Sequence, residues 1–239
     1  MAETLKNDQE VRLLFNVKAQ SWNNKYRANG PLASRVSAFS EYLTRLIGPT
    51  GTVLDFGCGS GAISATLGSL GYGVTACDVA DKMIAAGKRT YPEGRIEWLL
   101  LPPDWEELPF EGDMFDAVVA SSVFEYLSDI ENALKECRRI LKSTGKLIIS
   151  VPNPAHPLRK LERLIRPLAF FAEGSSLLNV FPKVGSYLTY LRVSRVRLSI
   201  DEWCEHAKSA RLRLVRLSDM ESTHAPNKAL MYLAFERTR

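Results

Sequence analysis

The residue types that could do chemistry concentrate in one run, Thr52-Val-Leu-Asp-Phe-Gly-Cys-Gly-Ser-Gly-Ala-Ile63. Gly57, Gly59 and Gly61 lack a Cβ and tolerate positive φ. A turn through them, with Cys58 between the first two, brings backbone N–H groups close to a ligand. Asp55 stands two residues before the turn, at the end of what reads as the buried strand Val53–Phe56, and faces the same crevice. Asp78 closes a second apolar run, Gly73-Val-Thr-Ala-Cys-Asp78, at a spacing suited to holding ribose hydroxyls. Gly57-x-Gly59-x-x-Ala62 with that acid formally satisfies a dinucleotide fingerprint. Three features turn the reading away from a nicotinamide cofactor. Asp55 puts negative charge where a pyrophosphate would approach. About fifty residues of helical pattern precede the unit, and the chain ends in what reads as an antiparallel strand pair.

These residues need elements to position them. Leu13–Leu46 reads as two helical pieces broken at Asn29-Gly30-Pro31, with Phe15, Trp22 and Tyr26 in the first. Ile63, Leu67 and Leu70 line a helix after the glycine turn, ended by Gly71 and Gly73. A helix over Asp81–Arg89 follows the second strand. Ile96–Leu100 and Phe115–Ala120 read as strands three and four. Ser128-Asp-Ile-Glu131 has the capping-box pattern and opens a helix with Ile130, Leu134, Cys137 and Leu141 on one face. Gly145 is expected to end it, and Lys146–Val151 to form strand five. The alternation of strands and helices implies a doubly wound parallel sheet. The rhythm stops from Asn153 to Leu198 and returns at a second capping box, Ser199-Ile-Asp-Glu202. Leu212–Leu217 and Ala229–Glu236 then read as the closing antiparallel hairpin.

The 239 residues suit one domain, and 46% apolar and 24% charged residues are ordinary globular values. No run approaches a membrane span. The first residues lack an apolar signal core, so a cytoplasmic protein is expected. Four scattered cysteines without a CxxC pair point to reduced thiols and to no metal site. A net charge of +4 does not argue for nucleic acid.

Val53-Leu-Asp-Phe-Gly-Cys-Gly-Ser-Gly61 resembles motif I of the class I S-adenosylmethionine-dependent methyltransferases. The resemblance continues in order through Asp78-Val-Ala-Asp-Lys-Met83 and Asp104-Trp-Glu-Glu-Leu-Pro-Phe110. It persists through Phe115-Asp-Ala-Val-Val-Ala-Ser-Ser-Val-Phe-Glu-Tyr-Leu127 and Leu141-Lys-Ser-Thr-Gly-Lys-Leu-Ile-Ile-Ser150. It implies an α/β, Rossmann-like fold: a doubly wound, seven-stranded, mostly parallel sheet with an antiparallel terminal hairpin. It also divides the chain into an N-terminal helical cap (1–50), a cofactor-binding core (51–152), a lid insertion after strand five (153–198) and a final helix with the edge hairpin (199–239).

The cofactor implied is S-adenosyl-L-methionine, released as S-adenosyl-L-homocysteine. By resemblance, Gly57, Cys58, Gly59 and Gly61 pack against its methionine part and ribose, and Asp55 orients its ammonium. Asp78, with Val79 beside it, accepts the ribose hydroxyls, and Met83 packs near the adenine. Asp104 accepts from the adenine amino group, while Trp105 offers a backbone N–H or its ring face. Ser121 lies beside the methionine end, and Tyr26 covers the cofactor.

Methyl transfer from a sulfonium is an in-line displacement with an activated leaving group, so position and dehydration matter more than an obligatory base. Phe124-Glu125-Tyr126 stands where many relatives carry Leu-Glu-His. Tyr126 is thereby a candidate for holding the acceptor, and His156, in the loop after strand five, is the remaining base candidate. The insertion carries eight basic residues against Glu162 and Glu173, an excess larger than the charge of the whole chain. Leu158, Leu161, Leu164 and Ile165 alternate with them at helical spacing, and Phe170, Phe171, Phe181, Tyr187 and Tyr190 follow. The first reading of this charge is solvation of the lid's outer face. A second is peripheral membrane contact in reaching a lipid-linked or quinone-like acceptor. RNA binding ranks last, since no RNA-binding module is recognisable. The expected function is methylation of a small-molecule acceptor, with oxygen favoured over nitrogen. A nicotinamide-dependent oxidoreductase and a non-catalytic S-adenosylmethionine-binding partner protein are the alternatives of other classes.

Overall fold

The structure, a computed structural model, describes residues 2–93, 95–171 and 182–238. Of the insertion residues named above, Glu173 and Phe181 lie outside them. Strands β1 (Thr52–Phe56), β2 (Gly73–Asp78), β3 (Ile96–Leu100), β4 (Phe115–Ser121) and β5 (Leu141–Pro152) run parallel. β6 (Leu212–Val215) and β7 (Leu230–Arg237) complete one seven-stranded sheet in the order β3-β2-β1-β4-β5-β7-β6. β7 is antiparallel to both neighbours, so the terminal pair is antiparallel as expected. Its connection, however, holds a short helix rather than a tight turn. Strand order reverses between β1 and β4, which opens a crevice beyond their carboxyl ends. Register pairs Asp55 with Ala76 and Val119, so the acids ending β1 and β2 and Ser121 ending β4 all reach that rim.

The helices are α1 (Ala2–Trp22), α2 (Ala33–Ile47), α3 (Ala62–Ser69), α4 (Asp81–Thr90), α5 (Ile130–Ile140), α6 (Pro157–Phe171), α7 (Pro182–Val193), α8 (Ile200–Ser209) and α9 (Ser218–Ser222). A 3₁₀ turn, Asn23–Tyr26, joins α1 to α2. One sheet face buries Leu134 and Cys137 of α5 and Trp203 of α8. The other buries Phe39 and Leu43 of α2 and Leu67 of α3. α1 packs elsewhere. Its Phe15, Ala19 and Trp22 meet Ala80 and Met83, which lays α1 over the crevice.

Several expected boundaries move, each for a local reason. Asp129 caps α5, accepting from Asn132 N at 2.8 Å. Ser128, the expected cap, instead donates to Asp8 Oδ1 at 2.7 Å. α5 ends at Ile140 because extended Leu141 pairs with Phe115 as the start of β5. Gly145 therefore lies within β5 and ends no helix. Leu70 is the C-cap of α3 and half exposed, off the apolar face. The first helix begins at Ala2 rather than near Leu13. The Ser199–Glu202 capping box forms as expected, with both reciprocal bonds present.

Candidate active site

A cavity of about 440 Å³ occupies the crevice, bounded by the strand ends, by α1 and the turn after it, and by α6 and α7. The glycine turn shapes its floor. Gly57 N and Cys58 N both donate to Cys77 O, at 2.8 and 2.9 Å, folding the turn back over the end of β2. Gly57 has φ +69°, and a Cβ there would stand 2.4 Å from Val123 Cγ2. Gly61 has φ +78°, and a Cβ would stand 2.2 Å from Trp98 Cη2. Gly61 is thus a packing requirement behind the cavity, whereas Gly57, Cys58 and Gly59 line it.

Two acids face this floor without a cationic partner among the described residues. Asp55 is 1% exposed, and its Oδ2 accepts from Ser64 Oγ at 2.6 Å. Burial, helped by the nearby Asp78 charge and opposed by the Ser64 bond, pushes its carboxyl up to about 7. Asp78 accepts from Gly59 N at 2.7 Å through Oδ2 and from Ala80 N at 2.8 Å through Oδ1. Burial pushes it up to about 6 against those two bonds. A cation arriving here would restore both acids to their charged form.

The other expected residues divide. Tyr26, Val79, Trp105, Ser121 and Tyr126 line the cavity. Tyr26 stands near Ser121, and burial pushes its phenol up to about 12. Trp105 presents its ring, edge-on to Phe56 at 5.5 Å, while its N–H is directed at Pro102 O. Its backbone is thereby occupied locally. Met83 is fully buried between α4 and α1, behind the wall. Asp104 is exposed and off the wall; its neighbours Pro103 and Trp105 take that place. His156 also lies outside the cavity. Its Nδ1 accepts from Leu158 N at 3.2 Å, so the ring serves the start of α6.

Residues that sequence reasoning passed over complete the chamber. Arg35 of α2 donates to Ser122 Oγ at 2.9 Å and reaches Ser121 Oγ at 3.5 Å, which places a guanidinium at the end of β4. Phe15 meets Trp22 and Tyr126 edge-on, and Tyr126 meets Tyr190 of α7. The insertion's charge is partly turned inward. Arg159 donates to both oxygens of buried Glu162 at 2.8 Å and to Tyr190 Oη at 2.8 Å. Buried Glu125 accepts from Ser194 and from Arg197. Arg195 N and Val196 N donate to Glu125 O. The reading of this charge as outer-face solvation therefore fails for Arg159, which joins α6 to α7, and for Arg197, which reaches Glu125 in the loop after β4.

The arrangement suits a ligand with a positive centre, a diol and no phosphate. Two buried acids beside a glycine turn would repel a pyrophosphate, whereas an ammonium and a sulfonium would be drawn in. Asp78 lines the cavity, where its carboxylate meets hydroxyl donors. The residues present fit S-adenosylmethionine.

Comparison with known proteins agrees. A family model described as a methyltransferase domain matches residues 54–149. A ubiquinone biosynthesis O-methyltransferase of Coxiella burnetii is 26% identical over 214 residues, covering 88% of this chain and 85% of the relative. A demethylmenaquinone methyltransferase of Tropheryma whipplei is 29% identical over 206 residues, covering 84% and 80%. Among solved structures, a TehB-like SAM-dependent methyltransferase from Corynebacterium glutamicum superposes with a TM-score of 0.62 at 17% identity, covering 94% of this chain and 98% of that one. With the sheet order, the glycine turn and the paired acids, these matches support a class I S-adenosylmethionine-dependent methyltransferase, whose methyltransferase domain spans residues 54–149.

Proposed function

We propose that this enzyme methylates an oxygen of a small aromatic acceptor. The observation that carries the reading is the continuity of the cavity, from the acids Asp55 and Asp78 past Ser121 to the aromatic wall of Phe15, Trp22, Tyr126 and Tyr190. S-adenosylmethionine supplies a methyl group already activated on a sulfonium. The chain's own residues then bind and orient. Asp55 holds the donor's ammonium, Arg35 its carboxylate and Asp78 its ribose hydroxyls, with the Gly57–Gly59 backbone beneath and Val79 and Trp105 at the base end. The aromatic wall excludes water and aligns a planar acceptor. The O-methyltransferase name of the Coxiella burnetii relative supports oxygen as the methylated atom. The test is incubation with S-adenosylmethionine and a panel of phenols and quinols, read by product mass. Methylation of free hydroxyl compounds, and none of their O-methylated counterparts, is expected. Equal turnover of amines and phenols would refute the choice of oxygen.

A second reading concerns location. On α6, Leu158, Leu161 and Leu164 are 45, 53 and 76% exposed beside Lys160 and Arg163, and Val184 of α7 is also exposed. No helix among the described residues is long and apolar enough to cross a membrane. We propose a cytoplasmic enzyme whose lid rests on an anionic bilayer to reach a lipid-linked acceptor. Co-sedimentation with phosphatidylglycerol vesicles, lost in Leu161→Glu/Leu164→Glu, is expected. Equal sedimentation of the variant would sink this reading.

A further inference from the structure

Two cations in the cavity have no task in the reaction so far. Lys18, near the end of α1, and Lys25, in the 3₁₀ turn, are seven residues apart and both line the wall. Neither forms an ion pair with a carboxylate among the described residues. Acids of the same wall are engaged elsewhere: Glu125 with Ser194 and Arg197, Glu162 with Arg159, and Asp8 with Ser128. Aromatic rings flank the lysines instead. Lys25 Nζ stands 4.2 Å over the Trp22 ring, and Lys18 Nζ 5.6 Å from the Phe15 centroid. Burial first, and then the Lys25 charge, lower the Lys18 ammonium to about 8, against the pull of Glu125. Lys25 is lowered too, by burial and by Arg35. Cations brought together in a partly desolvated, aromatic-walled chamber repel one another, and an anion between them removes that cost.

We propose that the acceptor carries a fixed oxyanion, a carboxylate or a phosphate, besides the hydroxyl that is methylated, and that Lys18 and Lys25 hold it. The proposal rests on the methyl-transfer reading and narrows its substrate class. Phe15, which touches both Trp22 and Tyr126, joins the lysines to the acceptor's aromatic wall. Arg35, whose charge also acts on Lys25, is itself held by its bonds to Ser121 and Ser122 at the end of β4. The acceptor is thus a planar acid rather than a neutral phenol.

The test uses the full chain saturated with S-adenosylhomocysteine and titrated calorimetrically with hydroxybenzoate, hydroxyphenyl phosphate and the neutral hydroxybenzamide. At least one anion is expected to bind about tenfold or more tightly than the amide, as charge-assisted bonds do over neutral ones. Whichever anion wins names the source of the oxyanion. Lys18→Met is expected to erase that preference and Lys18→Arg to keep most of it, with S-adenosylhomocysteine affinity within about twofold of wild type in both as a check on the fold. An amide that binds as well as both anions, or a panel in which none binds, overturns the proposal. So does a Lys18→Met variant that loses S-adenosylhomocysteine and keeps the anion preference, since the lysine would then serve the donor. If the unmodified chain does not bind S-adenosylhomocysteine at all, the methyl-transfer reading itself fails, which is a separate result.

Discussion

Replacing Asp55 with Asn should stabilise the empty enzyme while weakening its hold on the donor. The carboxyl is 1% exposed and pushed up to about 7 from the ordinary 3.8, chiefly by burial. Folded protein therefore holds a proton at this site between those values that the unfolded chain has released. The sign follows. This site favours folding on the acid side, and its contribution is lost as pH rises from 3.8 through about 7. Above pH 7, holding the charged carboxylate in this buried site costs on the order of 1–3 kcal/mol. Asn keeps a carbonyl to accept from Ser64 Oγ, so the local bond survives. Urea denaturation should find the variant more stable at pH 8 and nearly equal to wild type at pH 5. Donor binding runs the other way, because an ammonium binds the charged acid. For one group near 7, the affinity of wild type for S-adenosylhomocysteine should rise about thirty-fold between pH 5.5 and 8, with Asp78, near 6, steepening the lower half. Calorimetry in two buffers of different ionisation enthalpy should show proton release on binding at pH 6.5. The variant should bind more weakly at pH 8 and with a flatter profile. A less stable Asp55→Asn at pH 8, or a wild-type affinity indifferent to pH, would refute the reasoning.

Gly61→Ala should destabilise the fold beyond the roughly 1–2 kcal/mol of a left-handed alanine, because its Cβ would also press on Trp98 Cη2. A thermal midpoint equal to wild type would show that the turn is not fixed by that indole. Glu125→Gln removes the anion that Arg197 and Ser194 share and should cost about 1.5–3 kcal/mol. It should also raise the acceptor KM with little change in donor affinity; an unchanged KM would detach this network from the acceptor.

What the sequence disclosed and what it hid follow from the range of the interactions. The strand, the glycine turn and both acids were legible because each is defined within a few residues: an apolar run sets the strand, and the strand's end sets where the carboxylate emerges. Strand order at the carboxyl rim then brings Asp55 and Asp78 together without further information. Asp129 and Ser128 are both good caps, and only a contact with Asp8, 120 positions away, decided between them. His156 looked like a base because its loop follows β5, yet Leu158 N, two residues on, takes its Nδ1. Glu125 with Arg197, and Arg159 with Tyr190, are pairs that only the folding of α6 and α7 over the sheet creates. Composition recorded the excess of basic residues and could not say that two of them point inward.

The cavity keeps acids and lysines in one chamber without letting them pair, and the scaffold explains how. Asp55 and Asp78 are fixed on strand ends, each held by a short bond to Ser64 Oγ or to backbone N–H. The lysines belong to α1 and its turn, and α1 is fastened independently. Arg12 and Asn16 both reach Asp81 at 2.9 Å, Asn16 Oδ1 accepts from Lys82 N, and Asn7 Nδ2 donates to Tyr126 O. Charges of both signs, held apart and partly desolvated, cost stability in the empty protein and return it when ligands of complementary charge arrive. The cationic donor answers the acids. By the same logic the lysines require an anion, and the acceptor is the ligand left to bring it.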